Sequence, residues 1–485
     1  VIGAALVLPT ALALPAAGLL LAVPGRRALH RLTGAAAGVV ALLTGGALLA
    51  ATLDGAVPAQ DVGGWAGHGI VFAADVLSAL MVCVSAVLVL AGLAMAAATG
   101  EDADPRFVPL VLLLSAGMYG ALLTADLFNL FVFVEVMLVP SYALLVMGGG
   151  ARRVAAGRVY VTVNLFASTT LLAGIGLLYA VTGSVNLGEL AGAARHSGAA
   201  AAAGAVVLLA LAVKTAVVPL HGWLPRSYPC APPAVTVLFS GLLTKIGLYA
   251  IIRIYAVVFA GAPEVRWVIM TAALLTMVIG VLGAVGEDTM RSILVFHMVS
   301  QIGYILLGLA LFTAFGLAAA IFYLAQYILV KAALLACAGA VETTRGTGRL
   351  GALGGVASAD PLLATTFMLA ALSLAGLPPL SGFVAKLSLV RAAVPAGEHL
   401  AAATAVAVSL ITLTSMIKIW SGVFRGTPPP GSAPPRGRLA LTAPALALAV
   451  PSLVLGAGAQ PLLTVAGAAA AGLVDTSAYV RAVTP

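Results

Sequence analysis

Charge is what this 485-residue chain has least of: charged side chains make up 8% of it, against roughly 25% in an ordinary soluble domain. Such a chain cannot clothe a water-facing surface. With 62% hydrophobic residues and a mean hydropathy of +1.15, it reads as a polytopic membrane protein. Aromatics are also scarce, at 6%, and the apolar runs lack two-residue alternation, which argues against an outer-membrane barrel. Helices then remain as the way to satisfy the backbone within hydrocarbon, so the expected fold class is all-α. Cysteine is nearly absent. Cys83, Cys230 and Cys337 stand singly in or beside apolar spans, with no C-x-x-C and no histidine cluster, which supports neither a disulfide framework nor a metal site. No cofactor motif is expected either. The net charge of +8 would suggest nucleic acid in a soluble protein. Here basic loops explain it, and the bilayer rather than nucleic acid is the expected partner.

What is abundant is apolar sequence in runs of about 20 residues, each long enough to cross a hydrocarbon core about 30 Å thick. The runs predict about fourteen spans, centred near residues 12, 43, 83, 115, 137, 170, 208, 245, 275, 302, 328, 376, 411 and 448, within one transmembrane domain over 1–485. Residues 1–23 lack a basic leader and read as a first span rather than a signal. If the N-terminus lies outside, fourteen loop arginines collect on the cytoplasmic side and five (Arg195, Arg253, Arg266, Arg391, Arg481) on the other. That asymmetry predicts an even number of spans and both termini outside. The Pro/Gly-rich residues 426–437 read as a flexible connector, and His30, His68, His196 and His399 as loop residues.

Lysine is absent from the loops. All five, Lys214, Lys245, Lys331, Lys386 and Lys418, fall in apolar stretches, while the loops use arginine. A GC-rich coding bias explains arginine at exposed positions. It leaves lysine where a side chain must be able to lose its proton, which guanidinium cannot do in a protein. Each buried ammonium costs about 2.5–3.5 kcal/mol on insertion scales, a cost that a purely structural bundle would avoid. A single carboxylate lies deep in a span, Glu135 in Phe131-Val132-Phe133-Val134-Glu135, and its natural partners are lysines of other helices. Asp75 and Asp126, at the starts of spans, read as structural. His297 can bridge lysines as a shuttle titrating near neutrality. Such a set outlines a proton relay, in which a charge moved at one link changes the next.

Two lysines flank helix breakers. Lys214 precedes Pro219-Leu220-His221-Gly222-Trp223-Leu224-Pro225, and Lys386 follows Gly376-Leu377-Pro378-Pro379-Leu380-Ser381-Gly382. Broken helices in both halves point to a transporter repeat, and His221 would flank the entrance. Lys214 and Lys386 lie 172 residues apart, and Lys245 and Lys418 lie 173 apart, which suggests a duplication: 107–258 (spans four to eight) and 266–424 (spans nine to thirteen), flanked by 1–98 and 438–485.

Several stretches resemble the D-type component of the Mrp-type multisubunit cation/proton antiporters, kin to the antiporter-like subunits of respiratory complex I. They are the run from Asp126 to Glu135, Lys214 with His221-Gly222-Trp223-Leu224-Pro225, Leu238-Phe239-Ser240-Gly241 through Lys245, Ser300-Gln301-Ile302-Gly303-Tyr304, and Gly376 to Phe383 with Lys386. The resemblance implies a fourteen-helix fold with inverted repeats and discontinuous helices in a bacterial inner membrane. It implies a Glu135–Lys214 pair and an axis through Lys245, Lys331 and Lys386, with Lys418 and His297 as further candidates. It also implies partner subunits of the A, B, C, E, F and G types, with protons and Na⁺, K⁺ or Li⁺ as cargo. The closest complex I subunits are usually acidic where Lys386 stands, which favours the antiporter branch over a membrane subunit of an oxidoreductase. D-type relatives often carry a His pair where this chain has Gln326-Tyr327. Neither residue carries a proton at neutral pH, so the axis would rely on water or on His297.

Overall fold

The computed structural model describes residues 2–63, 69–241, 243–427 and 439–484; His68, Arg436, Arg438 and residues 428–437 of the connector lie outside them. Helices α1 (Ile2–Ala22) and α2 (Arg27–Thr52) lead into an antiparallel hairpin, β1 (Ala59–Val62) with β2 (Ile70–Ala73). The hairpin departs from an all-helical reading. It lies between two spans, where strand pairing can satisfy the backbone. Then come α3 (Val76–Thr99), α4 (Phe107–Leu123), α5 (Leu127–Val146) and α6 (Ala151–Thr182). Helix α7 (Gly198–Thr215) stops at a break that holds the short α8 (Trp223–Ser227), and α9 (Pro233–Val257) follows. Next are α10 (Pro263–Gly286), α11 (Met290–Leu311) and α12 (Ala314–Arg345). A second break separates α13 (Pro361–Ala375) from α14 (Ser381–Ala393). The last helices are α15 (His399–Phe424), α16 (Leu439–Ala457), α17 (Gln460–Val474) and α18 (Ser477–Val483).

Among the described residues twelve helices are long and apolar enough to cross a membrane, or thirteen if α17 and α18, bent by 72°, form one span; α4 and α13 are shorter apolar helices. Thirteen of the fourteen sequence centres fall on these helices, and the one near residue 376 falls at the second break. Helix α17 escapes the hydropathy reading because its 15 residues fall short of the roughly 20 that a span needs.

Interface acids do local work. Asp75 caps α3 in a reciprocal box with Ser78, and Asp126 caps α5 through the Asn129 amide at 2.6 Å. Both described ends of the chain lie at the hairpin face, where Gly3 packs on Gln60 and the Val483 carbonyl accepts from Asn186 at 2.9 Å. At the opposite face Asp102 accepts from Arg27 and Arg31. Burial opposes ionisation of Asp102, but the two guanidiniums outweigh it and hold the carboxyl below its ordinary value. His30, expected in a loop, is buried in the first turns of α2 with its ring nitrogen 3.0 Å from the Val23 carbonyl.

The two halves share a packing plan. Gly117 of α4 meets the Met137 backbone and Gly120 meets the Phe133 ring; Gly280 of α10 meets Ser300 and Gly283 meets the Phe296 ring. A Cβ at Gly117 or Gly280 would stand 2.4 or 2.3 Å from the facing backbone nitrogen, so glycine is what permits this approach. The two contacts of the first half recur in the second at an interval of 163 residues, as the bridge Asp126–Asn186 recurs in Thr289–Arg349. The breaks recur at 160: Ala216 (φ 62°) and Gly376 (φ 86°) are both left-handed, and the next amides, Val217 and Leu377, donate back to Ala212 and Leu372. The lysine spacing of 172–173 is therefore not the period of the repeat. Lys214 lies two residues before its left-handed turn, whereas Lys386 lies ten residues after its own.

Candidate functional site: a buried row of lysines

The row begins with an ion pair bridged by a hydroxyl. Lys214, on the last turn of α7, reaches α6, where its Nζ donates to Ser168 Oγ at 2.6 Å and to the Asn164 carbonyl at 3.4 Å. Ser168 in turn donates to Glu135 Oε1 on α5, and that oxygen lies 3.8 Å from Lys214 Nζ. Three helices thus converge on one proton-bearing cluster. The lysine is buried and the carboxylate half-buried, its side chain 25% exposed. Asn164 and Ser168 are not among the sequence candidates, although two polar residues four apart on an apolar helix share one face and are a readable signal.

Beyond this pair the row has cations without a carboxylate. Lys245 on α9 is fully buried; its Nζ donates to Thr244 at 3.0 Å and lies 4.9 Å from the centre of the Tyr327 ring. Lys331, also fully buried, has no hydrogen-bond partner for Nζ among the described residues, and neither ring nitrogen of His297 has one. Lys386 on α14 donates to the carbonyls of Leu374 and Ala375, at 2.9 and 3.2 Å, and to Ser409 at 3.1 Å. It lies 5.0 Å from the Tyr304 ring centre. The rings between Lys245 and Lys386 form a ladder, with Tyr327 to Tyr323 at 6.2 Å and Tyr323 stacked on Tyr304 at 5.3 Å. The Tyr323 hydroxyl donates to Gln301. Tyr327, expected to carry no proton, thus faces Lys245 with its ring. Lys331 lies within electrostatic reach of Lys245, and His297 of both Lys331 and Lys386.

Lys418 does not join this row. Its Nζ donates to the carbonyls of Val285 and Glu287, at 3.0 and 2.7 Å, and lies 3.5 Å from Asp288; its side chain is 36% exposed at the loop end of the bundle. Its stretch is apolar, but Lys418 lies in the last turn of the regular α-helical part of α15, so its long stem reaches the interface. His221 sits in the first break, half-buried, with Nδ1 lacking a partner among the described residues.

Like charges in a medium of low dielectric constant repel one another strongly, so each further ammonium in the row costs more than the last. The transmembrane model of the NADH:quinone oxidoreductase/Mrp antiporter family matches residues 124–412, which enclose the row from Glu135 to Lys386. The chain belongs to this family. It is 39% identical to the D component of the Na(+)/H(+) antiporter of Alkalihalophilus pseudofirmus over 431 residues, 87% of each chain. It is 34% identical to the corresponding D component of Bacillus subtilis over 488 residues, 98% of each. Among solved structures, a chain of the Mrp complex from Dietzia sp. shares 49% identity with a TM-score of 0.98, covering 100% of this chain and 99% of that one. A chain of the membrane-bound sulfane sulfur reductase, an archaeal respiratory complex, shares 25% identity with a TM-score of 0.88 over 99% of each. The family drawn from the motifs is therefore the right one, and its relatives here are antiporter-like subunits of multisubunit membrane complexes.

Proposed function

We propose that this chain is the proton-translocating subunit of a multisubunit Na⁺/H⁺ antiporter, driven by the proton motive force. Protons pass along Glu135, Lys214, Lys245, Lys331 and Lys386, with His297 beside the last two. The run of Lys245, Lys331 and Lys386 without a carboxylate among them carries this reading, because an ion-pair scaffold would have supplied counter-charges. Partner subunits resemble those of the A, B, C, E, F and G types. The two repeats are 107–258 and 266–424; an odd number of crossings in the first inverts the second. The basic face, with Arg27, Arg31, Arg152 and Arg291, lies in the cytoplasm and the hairpin face outside, in a bacterial cell membrane.

Lys245→Arg tests the relay. It keeps the charge but cannot release a proton at working pH, so Na⁺-induced ΔpH collapse in everted vesicles carrying the whole complex should fall to background with assembly unchanged. Wild-type rates would remove lysine titration from the mechanism. Likeness to the sulfane sulfur reductase chain favours a second reading, the same relay powered by an oxidoreductase. Isolating the native complex with its subunits identified by mass separates the two.

A further inference from the structure

Tyr249 and Arg253 sit one and two turns beyond Lys245 on the same face of α9, toward the hairpin end of the bundle. Arg253, counted in the sequence among outer-loop arginines, is 3% exposed inside the bundle. Its Nη2 donates to Asp75 Oδ1 at 2.7 Å and to the Tyr249 hydroxyl at 3.4 Å, and its guanidinium lies 4.5 Å from the centre of the Tyr479 ring on α18. Its Nε and Nη1 are buried without a hydrogen-bond partner among the described residues. A buried donor left dry costs about 1–3 kcal/mol, so these two groups favour water beside them.

Room for water exists next to the pair. A cavity of about 360 Å³ at the hairpin end is lined by Asp75 and Tyr479 together with Thr52, Gly472 and Asp475. Tyr479 therefore touches the cavity and also covers the guanidinium. It is carried by α18, which bends 72° from α17 and ends where the Val483 carbonyl is held by Asn186.

We propose that Asp75, Arg253 and Tyr479 form a gate between this cavity and Lys245. The Tyr479 ring closes the passage. The unpaired guanidinium donors hold the water that completes a hydrogen-bonded path past Tyr249 when the ring moves aside. This rests on reading Lys245 as a proton carrier, since a gate needs a carrier behind it.

The test is passive decay of an imposed ΔpH, without Na⁺, in vesicles holding the whole complex. Tyr479→Ala should leak several-fold faster than wild type, Tyr479→Phe should match wild type, and adding Lys245→Ala to Tyr479→Ala should abolish the excess leak. An unchanged leak in assembled Tyr479→Ala overturns the gate, and so does a leak that survives loss of Lys245. Where Tyr479→Ala fails to assemble, Asp75→Asn, which keeps an oxygen for the Ser78 cap, should show the same Lys245-dependent leak. Because no Na⁺ is present, the result is separate from the antiport reading, which stands or falls on Na⁺-induced ΔpH collapse with Lys245→Arg.

Discussion

Helices α5, α6 and α7 of the first half and α11, α12 and α13 of the second are assembled the same way, yet their charges are arranged in opposite senses. At the 163-residue interval Met298 stands where Glu135 does, and Lys331 where Ser168 does. At the 160-residue interval of the breaks, Leu374 stands where Lys214 does. The first half spreads an acid, a hydroxyl and an amine over three helices. The second puts its amine on the middle helix and drops the acid. A pair of opposite charges favours keeping its proton where it is, whereas an amine with no counter-charge beside it has less to hold it in the ammonium form. The scaffold sets where polar groups can face inward, and the choice of residue decides how tightly each place holds a proton.

That contrast predicts unequal costs of deletion. Lys214→Ala strands the Glu135 carboxylate and should destabilise the complex by about 3 kcal/mol, the low end for a broken buried pair, because the Glu135 side chain is 25% exposed. Lys331→Leu strands nothing, so the complex should unfold at the same temperature or higher while Na⁺-dependent proton transport is lost. Thermal unfolding of the two purified complexes decides it. Equal destabilisation would mean that Lys331 has a counter-charge and the halves are alike.

A smaller effect should follow from making the second half resemble the first. Met298→Glu puts a carboxylate beside Lys331 in the relation that Glu135 bears to Ser168. Pinning that amine in its charged form should slow transport about tenfold, equivalent to about 1.4 kcal/mol of preference for the ion pair, with assembly intact. A wild-type rate, read by dye-monitored ΔpH in vesicles, would show that Lys331 does not need to discharge.

Hydropathy makes the spans legible because each crossing must be apolar and helical, and the scarcity of lysine elsewhere makes the buried amines stand out. What stays hidden depends on partners far apart in sequence. Lysines that are not equivalent suggest a false repeat period, while the equivalent contacts involve Gly117, Gly120, Gly280 and Gly283, residues with no chemistry to attract notice. Tyr304, Tyr323 and Tyr327 look like ordinary core aromatics, although Tyr323 and Tyr327 are one helical turn apart. Arg253 reads as a loop residue when arginines are sorted by side. Its eight-residue distance from Lys245 is about 12 Å along a helix, too short to leave a core about 30 Å thick from its middle.

The finest test concerns the hydroxyl between Lys214 and Glu135. Ser168→Ala removes the 2.6 Å acceptor of Lys214 and the donor to Glu135, but leaves the two charges 3.8 Å apart and able to close on each other. The cost should be about 1 kcal/mol of stability, with transport reduced only a few-fold and Ser168→Thr close to wild type. Thermal unfolding and vesicle transport on the same preparations measure both. A loss as large as that of Lys214→Ala would mean that the hydroxyl, rather than the ion pair, organises the first half. The residue equivalent to Lys331 would then be the keystone in both halves, whatever charge it carries.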